Sequence, residues 1–280
     1  MSVPMTDKPE AARQVVVHRS SVAAPADLCF DLVAQVERAP QFFGSHLHAE
    51  VTVDGGQETV QRWVLAPGDG IRAWTARRTV DAAARTITFE HIGDTPPVCA
   101  LRGEWSFTET GPGTTEVRLE HALTFTGGDD AGEGERQAAL DRVDLGGQAQ
   151  LAQLREVAES HARLTARTVR ARASVQLTAT DAGSAFERAL HAVEHDGAGW
   201  AWAPAVGRAI VLKRVTALSG RLHAATARID VAGTRDGAEV TVSAAVTAAE
   251  DGPAPAALGR WLPGAVARVL VAVGQPARTA

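Results

Sequence analysis

The stretch from Ile71 to Val80, I-R-A-W-T-A-R-R-T-V, sets an aromatic ring and a guanidinium where they could do chemistry. It has no helical stripe and lies between the turn signals Pro67-Gly68-Asp69-Gly70 and Asp81-Ala82-Ala83-Ala84, so a strand is expected. Alternation puts Arg72, Trp74, Ala76, Arg78 and Val80 on one face, with Trp74 and Arg78 roughly 13 Å apart. Two readings follow. If that face looks outward, the pair is a solvated arginine beside a packed tryptophan. If it looks inward, an apolar surrounding holds one fixed cation. Such a cation needs an electron-rich partner, and Glu104 and Glu90 are the candidates for an internal salt bridge. Histidines offer the other chemistry, proton transfer near neutrality. His121 lies on the apolar face of the cleanest alternating run, His91 shares a face with Ile87 and Phe89, and His46 starts a strand. The plainer alternatives are a satisfied core histidine for His121 and His91, and simple exposure for His46.

These residues need elements to position them. Gln14 to Val22 is β-rich, and Pro25 with Asp27 marks a helix start, with Leu28, Leu32 and Val36 as its stripe to about Glu37. A short helical turn is expected at Gln41 to Gly44. Strands follow at His46–Val53, Gln57–Leu65, Ile71–Val80, Arg85–Ile92, Val98–Glu109 and Thr115–Phe125. In the last of these Val117, Leu119, His121, Leu123 and Phe125 face one way and Glu116, Arg118, Glu120 and Thr124 the other. After a Gly127-Gly128-Asp129-Asp130 loop, Glu133 to His161 is a long helix with Leu140, Val143, Gly147, Leu151, Leu154 and Ala158 on one stripe. Gly146-Gly147 inside it costs on the order of 1 kcal/mol per glycine, so a close approach, a ligand or a kink must compensate. The order β-α-α-β×6-α gives an α+β fold, one antiparallel sheet wrapped round a long helix with a cavity between them.

Composition narrows the function classes. A chain of 280 residues has room for two domains, and a net charge of −5 argues against a nucleic-acid surface. Cys29 and Cys99 follow no metal or disulfide pattern and are expected to be buried thiols. No metal spacing, phosphate loop or Ser-His-Asp order stands out, and the histidines are too scattered for zinc. Met1 to Gln14 is polar and expected to fray, and nothing resembles a signal peptide or membrane span, so a cytoplasmic protein without membrane partners is expected.

The segments A-A-P-A-D-L-C-F-D-L-V-A-Q-V-E-R-A-P-Q-F-F (Ala23 to Phe43), W-T-A-R-R (Trp74 to Arg78), P-P-V-C-A-L-R-G-E-W (Pro96 to Trp105) and T-E-V-R-L-E-H (Thr115 to His121) resemble helix-grip (START/Bet v 1-like) polyketide aromatase/cyclases, over roughly residues 13–162. The resemblance implies a bacterial type II polyketide pathway, in which a carrier-protein-bound poly-β-ketone is cyclised and dehydrated to a first aromatic ring. By position, Trp74 and Arg78 match the family's pocket tryptophan and key arginine. His46 falls where the family can carry tyrosine, His91 where it can carry arginine and His121 where it can carry glutamine. Leu101 and Trp105 match apolar wall, and Phe43, Arg62 and Phe89 complete the expected substrate contacts. Ala39 replaces the usual tryptophan, which implies a wider mouth. Arg78 would stabilise a developing oxyanion and the histidines would move protons; positioning would supply much of the remaining rate.

The second half repeats the opening. V-R-A-R-A-S-V-Q-L-T-A-T-D echoes V-V-V-H-R-S-S-V-A-A-P-A-D, which suggests duplication. A strand at Thr168–Thr180, a helix at Asp181–His195, strands at Ala209–Leu218, Arg221–Val231 and Ala238–Ala248, and a helix opened by Pro253 and bent at Pro263-Gly264 make a shortened copy. The expected domains are 13–162, carrying the active cavity, and 167–275, a degenerate second helix-grip domain. The implied partners are an acyl carrier protein bearing the substrate and other type II synthase subunits, with no cofactor. The rivals are a non-catalytic module that binds a hydrophobic small molecule and a chaperone that steers polyketide folding.

Overall fold

The computed structural model describes residues 13–66, 70–93, 95–125, 132–196, 199–205, 207–215 and 221–274. The expected turns at Pro67 to Asp69 and Gly127 to Asp130, most of the Met1 to Gln14 segment, and the end of the strand expected to reach Leu218 lie outside them.

β1 (Arg13–Val22) leads to α1 (Ala26–Ala34), a 3-10 turn at Val36–Arg38 and α2 (Ala39–Phe42). Six strands follow: β2 (His46–Asp54), β3 (Gln57–Ala66), β4 (Gly70–Asp81), β5 (Thr86–Ile92), β6 (Val98–Gly111) and β7 (Thr114–Phe125). They form one seven-stranded sheet in the order β1-β7-β6-β5-β4-β3-β2. β2 to β7 lie side by side in reverse chain order, and β1 crosses over to pair with the last strand, from Arg13↔Thr124 to Val22↔Thr115. α3 (Glu133–Ala166) follows the sheet. Its Ala139, Leu140 and Val143 pack with Val16, Val98, Leu101, Leu123 and Phe125, which makes this the inner face.

The second sheet repeats that plan with two strands fewer. β8 (Thr168–Thr178), α4 (Ala182–Asp196), β9 (Trp200–Ala205), β10 (Ala209–Arg214), β11 (Leu222–Thr234), β12 (Gly237–Ala248) and α5 (Pro255–Gly274) follow in sequence. The order β8-β12-β11-β10-β9 again sets the first strand beside the last. Both sheets are antiparallel in every strand pair described, so the α+β helix-grip plan of the sequence holds. Close packing divides the chain into two compact units, residues 1–36, 50–61 and 74–159, and residues 37–49, 62–73 and 160–280.

Several expectations need correcting. α1 ends at Ala34 and not near Glu37, because the Arg78 guanidinium takes the Val33 and Ala34 carbonyls that would otherwise continue the helix. The next helix comes earlier than expected, at Ala39–Phe42, with Pro40 in its first turn where the missing N–H costs nothing. β9 escaped the sequence because Pro204 interrupts it, which an edge strand tolerates. Cys99 is only half-buried, its Sγ 3.3 Å from the Thr124 carbonyl, whereas burial pushes the Cys29 thiol up to about 11. α5 is long and apolar enough to cross a membrane by length and composition. Leu258, Leu262, Val266, Leu270 and Val273 on it are buried, as in a core helix packed on β8, β12 and α4.

In the second unit one buried cation organises the segment that precedes β2. Lys213 on β10 is 3% exposed, and its Nζ donates to the carbonyls of Pro40, Phe43 and His46 at 2.8, 2.6 and 2.8 Å. A compact ammonium has three N–H groups to match three carbonyls, whereas a planar guanidinium would not converge on them. This explains a lysine in a chain whose other cations are almost all arginine. Burial pulls Lys213 down to about 7. Lys213→Met should leave three carbonyls without a donor and destabilise the fold by about 3 kcal/mol, read as a lower urea midpoint at unchanged slope.

Candidate active site

β4 exposes Arg77 and Thr79 and buries Ala76 and Arg78, so the inward alternative holds for Arg78. The guanidinium is 6% exposed. Its Nε donates to Glu58 Oε2 on β3 at 2.5 Å, Nη2 donates to the Ala34 carbonyl at 2.7 Å and Nη1 to that of Val33 at 3.4 Å. The cation therefore sits at the C-terminal, negative end of α1 with a carboxylate beside it. Neither Glu104 nor Glu90 is its partner: Glu90 on the opposite face accepts from Arg102 at 3.0 Å. Glu58 was missed because it lies on the neighbouring strand, at a distance in sequence that only the pairing of β3 with β4 closes.

Strand register carries Arg78 across the sheet in one inward row. Arg78 pairs with Phe89, Phe89 with Gly103 and Gly103 with His121. Three strand spacings separate the ends, about 14 Å between backbones. Gly103 is the pinch point of the row. A Cβ there would lie 2.3 Å from the Phe89 ring and 2.5 Å from the Glu120 carbonyl, so glycine lets Phe89 lie across the strand. The Phe89 ring meets His121 edge-on at 5.6 Å and His91 at a tilt of 42° at 6.0 Å, and His91 stacks on Trp74 at 6.1 Å. Trp74, His91, Phe89 and His121 are thus one continuous aromatic series. His121 is 7% exposed, and burial, with the positive potential of His18 and His91, lowers its pKa to about 4. It is therefore a neutral imidazole at pH 7. Trp105, stacked on Phe107 at 6.2 Å, and Leu101, packed with Leu123 and Phe125, are wall.

His18 was missed. It pairs in register with Leu119, its ring is 6.4 Å from that of His121, and its Nε2 lies 2.9 Å from Asp144 Oδ1 on α3. A Cβ on Gly147 would fall 2.4 Å from that ring. Of the three remedies for a glycine pair inside α3, close approach of the sheet is the one used. Gly147 on the apolar stripe, with His18 at an inward position of β1, was the legible signal.

The remaining expected residues belong to the second unit. There Phe43 is buried, His46 is half-buried with its ring 5.5 Å from Phe43, and burial plus the charges of Arg62 and Lys213 lowers His46 to about 3. His46 is not the exposed group of the plainer alternative. A cleft of about 340 Å³ in the first unit borders Arg78, Phe89 and Gly103 of this row, and its other lining, which includes Arg77, Thr79, Glu90 and Arg102, lies by alternation on the outer face of the sheet.

Residues 22–144 match the family described as polyketide cyclase / dehydrase and lipid transport. The chain is 34% identical over 145 residues to the granaticin polyketide synthase bifunctional cyclase/dehydratase of Streptomyces violaceoruber, covering 49% of this chain and 44% of that protein. It is 36% identical over 127 residues to the actinorhodin polyketide synthase bifunctional cyclase/dehydratase of Streptomyces coelicolor, covering 45% of this chain and 39% of that one. The matched stretch thus spans less than half the length of either relative. Two crystal structures are similar over nearly the whole chain. The di-domain ARO/CYC StfQ from the steffimycin pathway has a TM-score of 0.72 at 23% identity, covering 92% of this chain and 96% of its own. The di-domain ARO/CYC BexL from the BE-7585A pathway has a TM-score of 0.74 at 22% identity, covering 95% and 99%. The chain has the fold of these di-domain proteins.

The histidine environment fixes a pH response. The folded pKa of His121, about 4, lies below the usual 6.5, so between those values the unfolded chain takes up a proton that the folded chain excludes. Stability is full above about pH 6.5 and falls toward pH 4, by roughly 3 kcal/mol from this group. His46 acts in the same direction. Urea midpoints measured from pH 7 to pH 4 should fall, and His121→Gln should flatten the decline.

Proposed function

We propose that this chain is a polyketide aromatase/cyclase, closing and dehydrating the first ring of a poly-β-ketone carried as a thioester on an acyl carrier protein, and that the inner face of the first sheet is its active surface. The row Arg78–Phe89–Gly103–His121 carries this reading, because it sets a fixed cation and a neutral imidazole on one apolar surface with an aromatic ring between. Similarity to cyclase/dehydratases over residues 22–144 supports it.

In the aldol step His121 takes a proton from a methylene flanked by two carbonyls. The freed electron pair forms a carbon–carbon bond to a distant carbonyl carbon of the same chain, and that carbonyl's π pair moves onto oxygen. Arg78 stabilises the resulting alkoxide through N–H bonds not given to Glu58, Val33 or Ala34. The alkoxide recovers the proton from His121, a second α-proton leaves, and the hydroxyl departs with a proton as water. Enolisation completes the aromatic ring. Trp74, Trp105, Phe89 and Leu101 hold the chain bent, Phe43 and Arg62 are proposed as further substrate contacts, and His91 and His46 as further proton carriers. Domains at 13–162 and 167–275, with the second chiefly structural, a cytoplasmic location, and contacts with other synthase subunits belong to the same proposal.

One observation favours a second reading. Arg78 is already neutralised by Glu58 and anchored to α1, as a purely structural cation would be, so the fold could hold a finished polyketide without turnover.

Product analysis in a reconstituted type II synthase separates the two. The unmodified protein should yield the ring-closed, dehydrated product. Arg78→Lys keeps a charge beside Glu58 but loses the planar fork, and should cut that product by about 10²- to 10³-fold while ligand binding, followed by tryptophan fluorescence, persists. Unchanged products with and without the protein would leave only the binding module.

A further inference from the structure

We propose that Asp144 and His18 are a positioning pair for His121, forming a carboxylate–imidazole–imidazole chain that runs from α3 to the inner face of the sheet. The inference rests on the reading of His121 as the proton carrier.

His18 lies on the apolar row that continues through Leu119, Trp105 and Ile87, where an aliphatic residue would pack without any polar demand. Instead it is an imidazole 8% exposed, and its Nδ1 has no hydrogen-bond partner among the described residues. The helix is adapted to admit it: Gly147 leaves open the space that a Cβ would take from the ring. One turn earlier on the same helix, Asp144 meets His18 Nε2 at 2.9 Å, and its second oxygen accepts from Gln148 Nε2 at 2.8 Å. The carboxylate is thereby aimed, and it fixes the Nε2–H form of the His18 ring. That ring stands edge-on to His121 with an interplanar angle of 76°. Phe89 stands edge-on at 73°. His121, whose own Nδ1 is likewise buried without a partner, is held between two rings, one of which is tied to a charge on the helix. Asp144 and His18 do not need to touch substrate. Their effect passes through the orientation of His121.

The test is Asp144→Asn, an isosteric change at a position 47% exposed, made in the full chain alone and combined with His121→Gln. In the reconstituted synthase, Asp144→Asn should lower kcat by about 10- to 100-fold with KM changed less than about twofold. In the His121→Gln background the same change should cost less than about twofold, because the group it positions is gone. Losses that multiply in the double variant, or a wild-type kcat in the single one, would overturn the proposal. Ring-¹⁵N spectra of the same proteins give a readout independent of turnover. Asp144→Asn should move the signals of both His18 and His121; movement of His18 alone would show that no positioning reaches His121. If the unmodified protein forms no cyclised product, the functional reading fails, and the spectra still decide whether the pair is coupled to His121.

Discussion

A guanidinium taken out of water must be met by acceptors on all sides, and the first sheet and its preceding helix are arranged around that demand. Arg78 receives a carboxylate from β3 and two carbonyls from the last turn of α1. The helix ends where the arginine intercepts its carbonyls, so one side chain fixes both the length of α1 and its distance from β4. An aliphatic residue would fill the same volume without a desolvation cost. The presence of a charge on this face therefore points to chemistry, and the neutralising glutamate sets its limit: the N–H groups left over are what remains for a substrate oxygen.

The same accounting applies across the sheet. Three buried or half-buried imidazoles, His18, His91 and His121, lie among leucines, phenylalanines and tryptophans, and each meets another ring of the series. Burial holds His121 neutral, the form a base requires. Two glycines make the arrangement possible. Gly103 lets Phe89 cross β6, and Gly147 lets α3 close on His18. In the second unit the equivalent demand is a lysine that gathers three carbonyls and ties the α2 segment to β10.

Much of this was legible in the sequence. Alternation on β7 and β4 put His121 and Arg78 on the correct faces, and turn residues placed most strand ends within a residue or two. The duplication was visible as a repeated strand–helix opening, and the crossover of each first strand to the last confirms it in topology. What escaped depended on partners distant in sequence. Glu58, Asp144 and the carbonyls around Lys213 become partners only through tertiary approach, and no local pattern announces them. His18 differed, because its inward position on β1 was readable and only its partner was not. β9 was hidden by a proline that only an edge position allows.

In the proposed function this surface performs proton transfer on a bound β-ketone and does more than contain one. Hydrogen–deuterium exchange at the α-methylene of a short diketide thioester tests it without requiring ring closure. Exchange in D₂O should be faster with the unmodified protein than in buffer, and His121→Gln should return it toward the buffer rate. Exchange at the buffer rate with the folded, unmodified protein would contradict the account and leave a binding surface in its place.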